Sequence, residues 1–456
     1  MKPTLYILAI VVLLTVIFRT IPRADASPAS IPVGHRAYDP NLAMQEVEFN
    51  LGRVKRDPKG AIGWRQLASA YLVASREKDS SELAQRAEEA AKKSLELRSH
   101  RNSSAAVVLS EALLEQHRFA DALAACEQSL EIEPKNDFAE RTLTDIYFEV
   151  GRYEDARKLV GEHPEWSKDP SGLALVARQF ELTGHPEEAI ISLANAVKLA
   201  ESQSFLPATT VSWFYVKHGD ILARHGQLEK AETEYATAQK LNPGSWKVLA
   251  SLARLKAMQQ DHAGVILYGE KLNAIAPMTD VVGLMADASK ALGNKAGAEK
   301  YSAQVLKMNQ STIDAGTEPE SELDTKRGHT HDRMFSNYLA DHDLLLPLAQ
   351  HAATHDLANR KDVYAYDAYA WATYKLAISV SKATDSNYLK LEAKQSIAKA
   401  LALGTKDSKM YFHAGMIELS LSHKSVAKSH FQEALRINPN FNPAQADEAR
   451  KELSKL

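Results

Sequence analysis

The sequence predicts an all-α solenoid, a ribbon of helix pairs stacked one on the next, and three observations lead there. A helix-pair pattern returns every 34 residues, clearest from Ser103 to Asn136. Small and large apolar residues recur at fixed slots of that unit, and a proline closes it. Every large segment of the chain is accounted for by such units. A period in this range marks stacked helical repeats, in which each unit buries its apolar face only against its neighbours.

The register follows from laying units on one another. The unit from Ser103 carries Leu109 and Ser110 on its first helix, Ala122 on its second, then Ser129, Leu130 and Pro134. The unit beginning at Ser212 has His218, Gly219, Ala231, Ala238 and Pro243 in the same slots, and the last unit has Ala414, Gly415, Ala427, Ala434, Leu435 and Pro439. Small residues are needed where the two helices of a pair cross closely, large apolar ones where the next pair stacks, and proline where the second helix must stop. An ordinary amphipathic helix has no reason to repeat that combination.

Composition bounds the function. The chain has 456 residues, of which 45% are apolar and 25% charged, ordinary for a folded chain with a continuous core. With 55 basic and 58 acidic side chains the net charge is −3, far from the basic balance that a phosphate backbone attracts. Nucleic acid is therefore not expected as a partner. The single cysteine, Cys126, allows no intrachain disulfide and no cysteine-based zinc site, and its slot in the repeat is a core slot.

The amino terminus carries a separate signal. Residues Leu5 to Phe18, LYILAIVVLLTVIF, are followed by Arg19, Arg23 and Ala24-Asp25-Ala26. As a helix such a run rises about 21 Å, against roughly 30 Å of hydrocarbon in a bilayer. Residues 1–26 are expected to be an export signal with a small-x-small cleavage site, or an uncleaved anchor whose arginines snorkel at the interface. Either places the body of the protein outside the cytoplasm, exported or anchored to a membrane, unless the positive charges that follow the run invert the topology.

Residues 27–38 form a proline- and serine-rich linker. Residues 39–60 are expected to form a lead helix with Asp39 as N-cap and Pro40 in the first turn, stopped at Asp57-Pro58. The repeats occupy residues 61–308 as about seven units and 333–441 as about three. Between them, residues 309–332 are a polar insertion where the period stops. Residues 442–456 form a closing helix, EARKELSK on its solvated side, of the kind repeat arrays need to cover their open end.

At these residues the chain resembles the tetratricopeptide repeat (TPR) family. Leu143, Tyr147, Gly151, Tyr153 and Ala156 match its consensus in one unit, and Gly184 and Ala189 in the next. The first unit keeps Trp64, Leu67, Ala68 and Tyr71 but is lengthened between Arg76 and Leu83. The ninth is lengthened between Tyr374 and Ala393, and in the third Gly161 to Pro164 cuts the second helix short. The resemblance implies a right-handed superhelix of about ten pairs. The segments KDVYAYDAYAW and ALGTKDSKMYFHAGMI are similar to an exported, membrane-anchored bacterial type of the family, which implies no reaction.

Function is expected on the concave face, formed by the first helix of each pair, where a peptide or partner helix can lie. The inward slots hold Arg65, Arg141, Asp145, Arg178, Lys217, Asp220, Lys247 and Arg254, so five units offer a cation near one spiral line. Guanidinium groups grip carboxylates in bidentate fashion, which suits an acidic peptide segment or a free carboxy terminus, although Asp145 and Asp220 among the cations partly neutralise the face. The lysine and asparagine clamp of chaperone-binding members is replaced by Val107, Val108 and Glu111. Tyr369 maps inward and can stack on a ligand.

The competing reading is a metal-binding or enzymatic use of the segment from His329 to Asp356, where His351 and His355 are one helical turn apart. The sequence HAATH lacks the glutamate of the zinc-protease pattern, and no third ligand is set by spacing. A third reading is a structural subunit of envelope assembly. No phosphate loop and no nucleophile elbow is present. The sequence therefore predicts a non-catalytic scaffold for protein–protein interaction, without cofactor, touching a membrane only through its first residues.

Overall fold

A computed structural model describes residues 38–315 and 332–456. The expected segment 1–26, all of the expected linker 27–38 except Tyr38, and His329 lie outside the described residues. Helix α1 spans Leu42–Arg56 and leads a series of antiparallel pairs. The first five are α2 (Ala61–Lys78) with α3 (Ser81–Leu97), α4 (Ser103–Glu115) with α5 (Phe119–Ile132), α6 (Asp137–Glu149) with α7 (Tyr153–Glu162), α8 (Pro170–Leu182) with α9 (Pro186–Ser202), and α10 (Ala208–Arg224) with α11 (Leu228–Leu241). Two more are α12 (Trp246–Met258) with α13 (His262–Asn273) and α14 (Thr279–Ala291) with α15 (Lys295–Met308), followed by short α16 (Gln310–Ala315). The last three are α17 (Asp332–Asp341) with α18 (Leu346–Asn359), α19 (Val363–Ser379) with α20 (Ala383–Ala400), and α21 (Ser408–Ser420) with α22 (Lys424–Ile437), closed by α23 (Pro443–Leu453). Among the described residues there is no strand, and no helix is long and apolar enough to cross a membrane.

Two boundaries differ from expectation. Helix α1 begins at Leu42 with Asn41 at its cap, because the Asp39 side chain is spent on a turn, its Oδ1 accepting from the Asn41 N–H at 2.9 Å. The polar insertion expected at 309–332 is helical at its near end, as α16, and Asp332 already opens α17. Thr312 Oγ1 donates to Asp332 Oδ1 at 3.0 Å and ties the two flanks together.

The small-residue slots do what the register requires. A Cβ on Gly219 would lie 2.5 Å from the Tyr235 ring, and one on Gly415 would lie 2.5 Å from the Phe431 ring, so neither pair could cross as closely with alanine there. In the unit from Ser103 the slot is filled by Ser110, whose Oγ donates to the Ala122 carbonyl at 2.7 Å and so satisfies its hydroxyl inside the core. Where α7 is cut short, a single 3₁₀ turn, Pro164–Lys168, drops the fully buried Trp166 into the space the helix leaves. Its indole N–H donates to Asp137 Oδ1 at 2.7 Å, and the His163 ring stacks on it. Cys126 is fully buried.

The array winds back onto itself. Gly151, at the turn inside the third pair, sits against Lys361 between α18 and α19, and Tyr153 Oη accepts from the Val363 N–H at 2.7 Å. Gly184, inside the fourth pair, sits against Gly404 between α20 and α21, where Thr405 Oγ1 donates to the Leu182 carbonyl. Asn438, between α22 and α23, donates to the Ala223 carbonyl at 2.9 Å beside Gly226. At the amino-terminal end Trp246 Nε1 donates to the Arg76 carbonyl at 2.9 Å, and Gly244 sits against Tyr38. Most of these partners are about six repeats apart in sequence. Turns inside earlier pairs therefore rest on turns between later ones, and one apolar cluster runs through Phe148, Leu175 and Leu182 to Val363, Trp371 and Phe412.

Gly151 and Gly184 have φ of 79° and 80°, the left-handed region, which costs a residue with a side chain roughly 1–2 kcal/mol. A Cβ would also lie 2.2 Å from the Lys361 carbonyl oxygen at the first and 2.3 Å from that of Gly404 at the second. Gly184→Val is therefore expected to lower Tm and, in small-angle scattering, to raise the radius of gyration as the second turn lifts away, while helical circular dichroism is kept.

Candidate functional site: the lumen of the superhelix

The first helices of successive pairs turn their inward faces onto one lumen. On α10 that face carries Lys217, Asp220 and Arg224, and on α12 Lys247, Ser251 and Arg254, spaced three, four and seven residues apart as one helical stripe requires. Arg65 and Arg76 share a face of α2, about three turns apart. The lining is enclosed by protein yet reached by water: the Asp145 side chain is 51% exposed, although burial pushes its carboxyl above the usual carboxylate range against the pull of Arg178. The Glu111 carboxyl is raised in the same way, burial outweighing Arg76.

Most arginines here are already paired. Arg178 meets Asp145 at 3.2 Å and Glu149 at 2.6 Å. Arg254 meets Asp280 at 2.7 Å, and Arg141 is held bidentately by Asp169 at 2.9 Å and by Asp137 at 2.7 Å. Because Asp169 also caps α8, accepting from the Gly172 N–H, Arg141 serves to lock α6 onto α8. Arg76 and Arg224 were missed by the slot mapping. Arg76 meets Glu115 at 2.7 Å and Arg224 meets Glu181 at 2.6 Å. The helical period would have found both, as the positions eleven after Arg65 and seven after Lys217.

Three cations expected in the groove form no ion pair among the described residues: Arg65, Lys217 and Lys247. Lys217 lies over the Trp213 ring at 5.4 Å and Lys247 over the Trp246 ring at 5.2 Å. Burial, with Lys217 and Arg76 nearby, pushes the Lys247 ammonium below its usual range against the pull of Glu115 and Asp79. Tyr369 faces elsewhere. Its hydroxyl donates to Glu392 of α20 and lies beside Gln350 of α18, in the layer of second helices outside the lumen. Tyr364, one turn and a half earlier, is the tyrosine of α19 that feels Glu181, Arg224 and Asp407.

The histidine segment is also engaged. His355 Nδ1 lies 2.9 Å from Asp332, His351 is exposed, and the buried Asp356 is gripped by Arg333 and Arg360, each at 2.7 Å. Among the described residues no group of three or more His, Cys, Asp or Glu side chains is placed to hold a metal ion. A buried dyad of a different kind lies on α19 and α21: His413 stacks on Trp371 at 4.1 Å and meets Asp367 at 2.8 Å.

One charge ladder crosses between the turns. Asp145 meets Arg178, Arg178 meets Glu149, Glu149 meets Arg360 at 3.4 Å, Arg360 meets Asp356, Asp356 meets Arg333, and Arg333 meets Asp362 at 2.6 Å. Burial alone would raise the Glu149 carboxyl, but Arg178 and Arg360 hold it at about 2. A carboxylate depressed in the folded state contributes stability above its unfolded pKa and loses it as pH falls toward the folded one. Glu149→Gln is therefore expected to lower Tm near neutrality, with the gap to the parent closing as pH falls from about 4.5 toward about 2. Thermal melts across that range check the sign.

Profiles of the tetratricopeptide repeat match residues 113–178 and 408–441. Comparison with curated proteins finds no match. Among solved structures the chain is similar to PilW, a widely conserved type IV pilus biogenesis factor, at 21% identity and a TM-score of 0.38 over 45% of this chain and 93% of that one. It is similar to PilF of Pseudomonas aeruginosa at 16% identity and a TM-score of 0.37, over 46% and 94%. A tetratricopeptide repeat protein from Parabacteroides merdae aligns at 16% identity and a TM-score of 0.32, over 64% and 99%. The chain is an all-helical protein that carries tetratricopeptide repeats.

Proposed function

We propose that this protein is a non-catalytic scaffold that binds a carboxylate-bearing segment of another protein in its lumen, on the extracytoplasmic side of a membrane. One observation carries the binding mode. The lumen arginines Arg76, Arg141, Arg178, Arg224 and Arg254 each make a close ion pair with a carboxylate of the chain itself, whereas Lys217 and Lys247, near enough to influence one another, make none among the described residues. An anion placed beside them would offset the burial that disfavours the charged form of Lys247. Acidic side chains and a terminal carboxylate both supply that anion. Export is supported by the apolar run and small-x-small site of residues 1–26, and the scaffold role by the repeats themselves.

Lys217→Glu/Lys247→Glu tests this reading, because neither side chain holds the fold through an ion pair. In crosslinking pulldowns of the full chain from the envelope fraction, the double variant is expected to lose partners that the parent retains, at unchanged Tm, and a soluble oligoglutamate peptide to compete for them. An unchanged partner set removes the lysine pair from the binding surface. Absence of the protein from the envelope fraction removes the localisation.

A further inference from the structure

On the outer surface of the first units, cations are met by carboxylates about one helical turn away: Arg86 by Glu82, Lys92 by Glu88, Arg118 by Asp121 and Arg157 by Glu154. One place departs from this. The last turn of α1 carries Arg53, Lys55 and Arg56, the α1–α2 turn adds Lys59, and the α3–α4 turn adds Arg98 and Arg101. None of these six forms an ion pair among the described residues. Glu96, close to Arg98 in the chain, is taken by Lys93 at 2.9 Å.

The two turns meet in a cavity. Arg53, Lys59, Arg98 and His100 line a hollow of about 530 Å³ together with the start of α2, and Asp57 is the one carboxylate among the described residues of its wall. Both arginines are already held in place, Arg53 donating to Gln66 Oε1 and Arg98 Nε donating to the His100 carbonyl at 3.3 Å. A neutral acceptor fixes a guanidinium without cancelling its charge, and the N–H groups left over suit the oxygens of a phosphate.

Apolar surface adjoins the cations. Ile62 lines the same cavity and is 50% exposed, and Phe49, one turn before Arg53 on the same face of α1, is 61% exposed. A small phosphate compound makes no use of such side chains, whereas a bilayer interface offers phosphates with hydrocarbon just beneath them. The site also lies on the rim turned away from the seam. Helix α2 begins here and reaches the contact of Arg76 with Trp246 roughly 22 Å further on.

We propose that this rim is a membrane-docking surface, in which the cavity between α1 and the α3–α4 turn takes the phosphate headgroup of an anionic phospholipid. Ile62 and Phe49 meet the interface beside it, and Lys55, Arg56 and Arg101 add attraction to the neighbouring headgroups. The surface is separate from the lumen lysines and needs no protein partner.

Depth in the bilayer of one chosen residue tests this. Full-length protein with Ile62→Cys carries an environment-sensitive fluorophore at the rim. Lys158→Cys, whose native side chain is 74% exposed on α7, serves as control, and the fully buried Cys126 does not label. Each is mixed with vesicles of phosphatidylcholine alone, or of phosphatidylcholine with phosphatidylglycerol, that contain a lipid with a nitroxide quencher on its headgroup. An apolar amino terminus that inserts by itself does not produce the signal, because only the labelled residue is read. The rim label is expected to be quenched by the anionic vesicles and about tenfold or more weakly by the neutral ones, and the control label by neither. Lys59→Gln/Arg98→Gln is expected to abolish the preference at unchanged Tm, as is 1 M salt, where the screening length falls to about 3 Å. Lys59→Glu, at an exposed side chain, repeats the test should the double variant lose helicity. Equal quenching by both kinds of vesicle, or by neither, would overturn the proposal. So would a rise in Tm with inorganic phosphate that the variant lacks, without quenching by anionic vesicles, since the cavity would then serve a free phosphate compound.

Discussion

The contact between successive turns of the superhelix is the constraint on which the rest of the structure depends. A ribbon of stacked pairs alone would be held by nearest-neighbour packing, each unit adding its own stability and interface. Here Tyr153 meets the Val363 N–H and Thr405 meets the Leu182 carbonyl, contacts that bridge more than 200 residues. They tie one turn of the array to the next, so that chain segments far apart become one cooperative body.

Burial explains the electrostatics of the concave face. Charged groups in open water are screened and need no partner, but buried ones carry a desolvation cost that close pairing offsets. The ladder from Asp145 through Arg178, Glu149, Arg360, Asp356 and Arg333 to Asp362 is the arrangement that results, and it crosses the seam at the Glu149 to Arg360 step. Lys217 and Lys247 depart from the rule, forming no close ion pair among the described residues and lying instead over the Trp213 and Trp246 rings.

Much of this was legible in the chain. Period, slot pattern, the truncated α7 and the lengthened α20 all follow from local rules, since helix caps and close crossings are set within one unit. Arg141, Arg178 and Arg254 were readable as cations on first helices, but their partners Asp169, Glu149 and Asp280 are set by three-dimensional neighbours. What the period could not show is the seam. Superhelical pitch accumulates from small rotations per unit, and nothing in a single repeat announces that Gly151 will meet Lys361 or that Arg360 will reach Glu149. Tyr369 illustrates the same limit at one residue: a small rotation of α19 carries its hydroxyl to Glu392 and leaves Tyr364 in the lumen.

The most direct test is amide hydrogen exchange at Val363. It is the first residue of α19, where a helix supplies no acceptor for the N–H, and its partner is Tyr153 Oη at 2.7 Å on the neighbouring turn. The account predicts slow exchange at Val363 in the full chain and fast exchange after Tyr153→Phe. Exchange at Val363 as fast as at an unpaired helix amino terminus in the unaltered protein would mean that the turns do not meet, and the lumen would be an open groove.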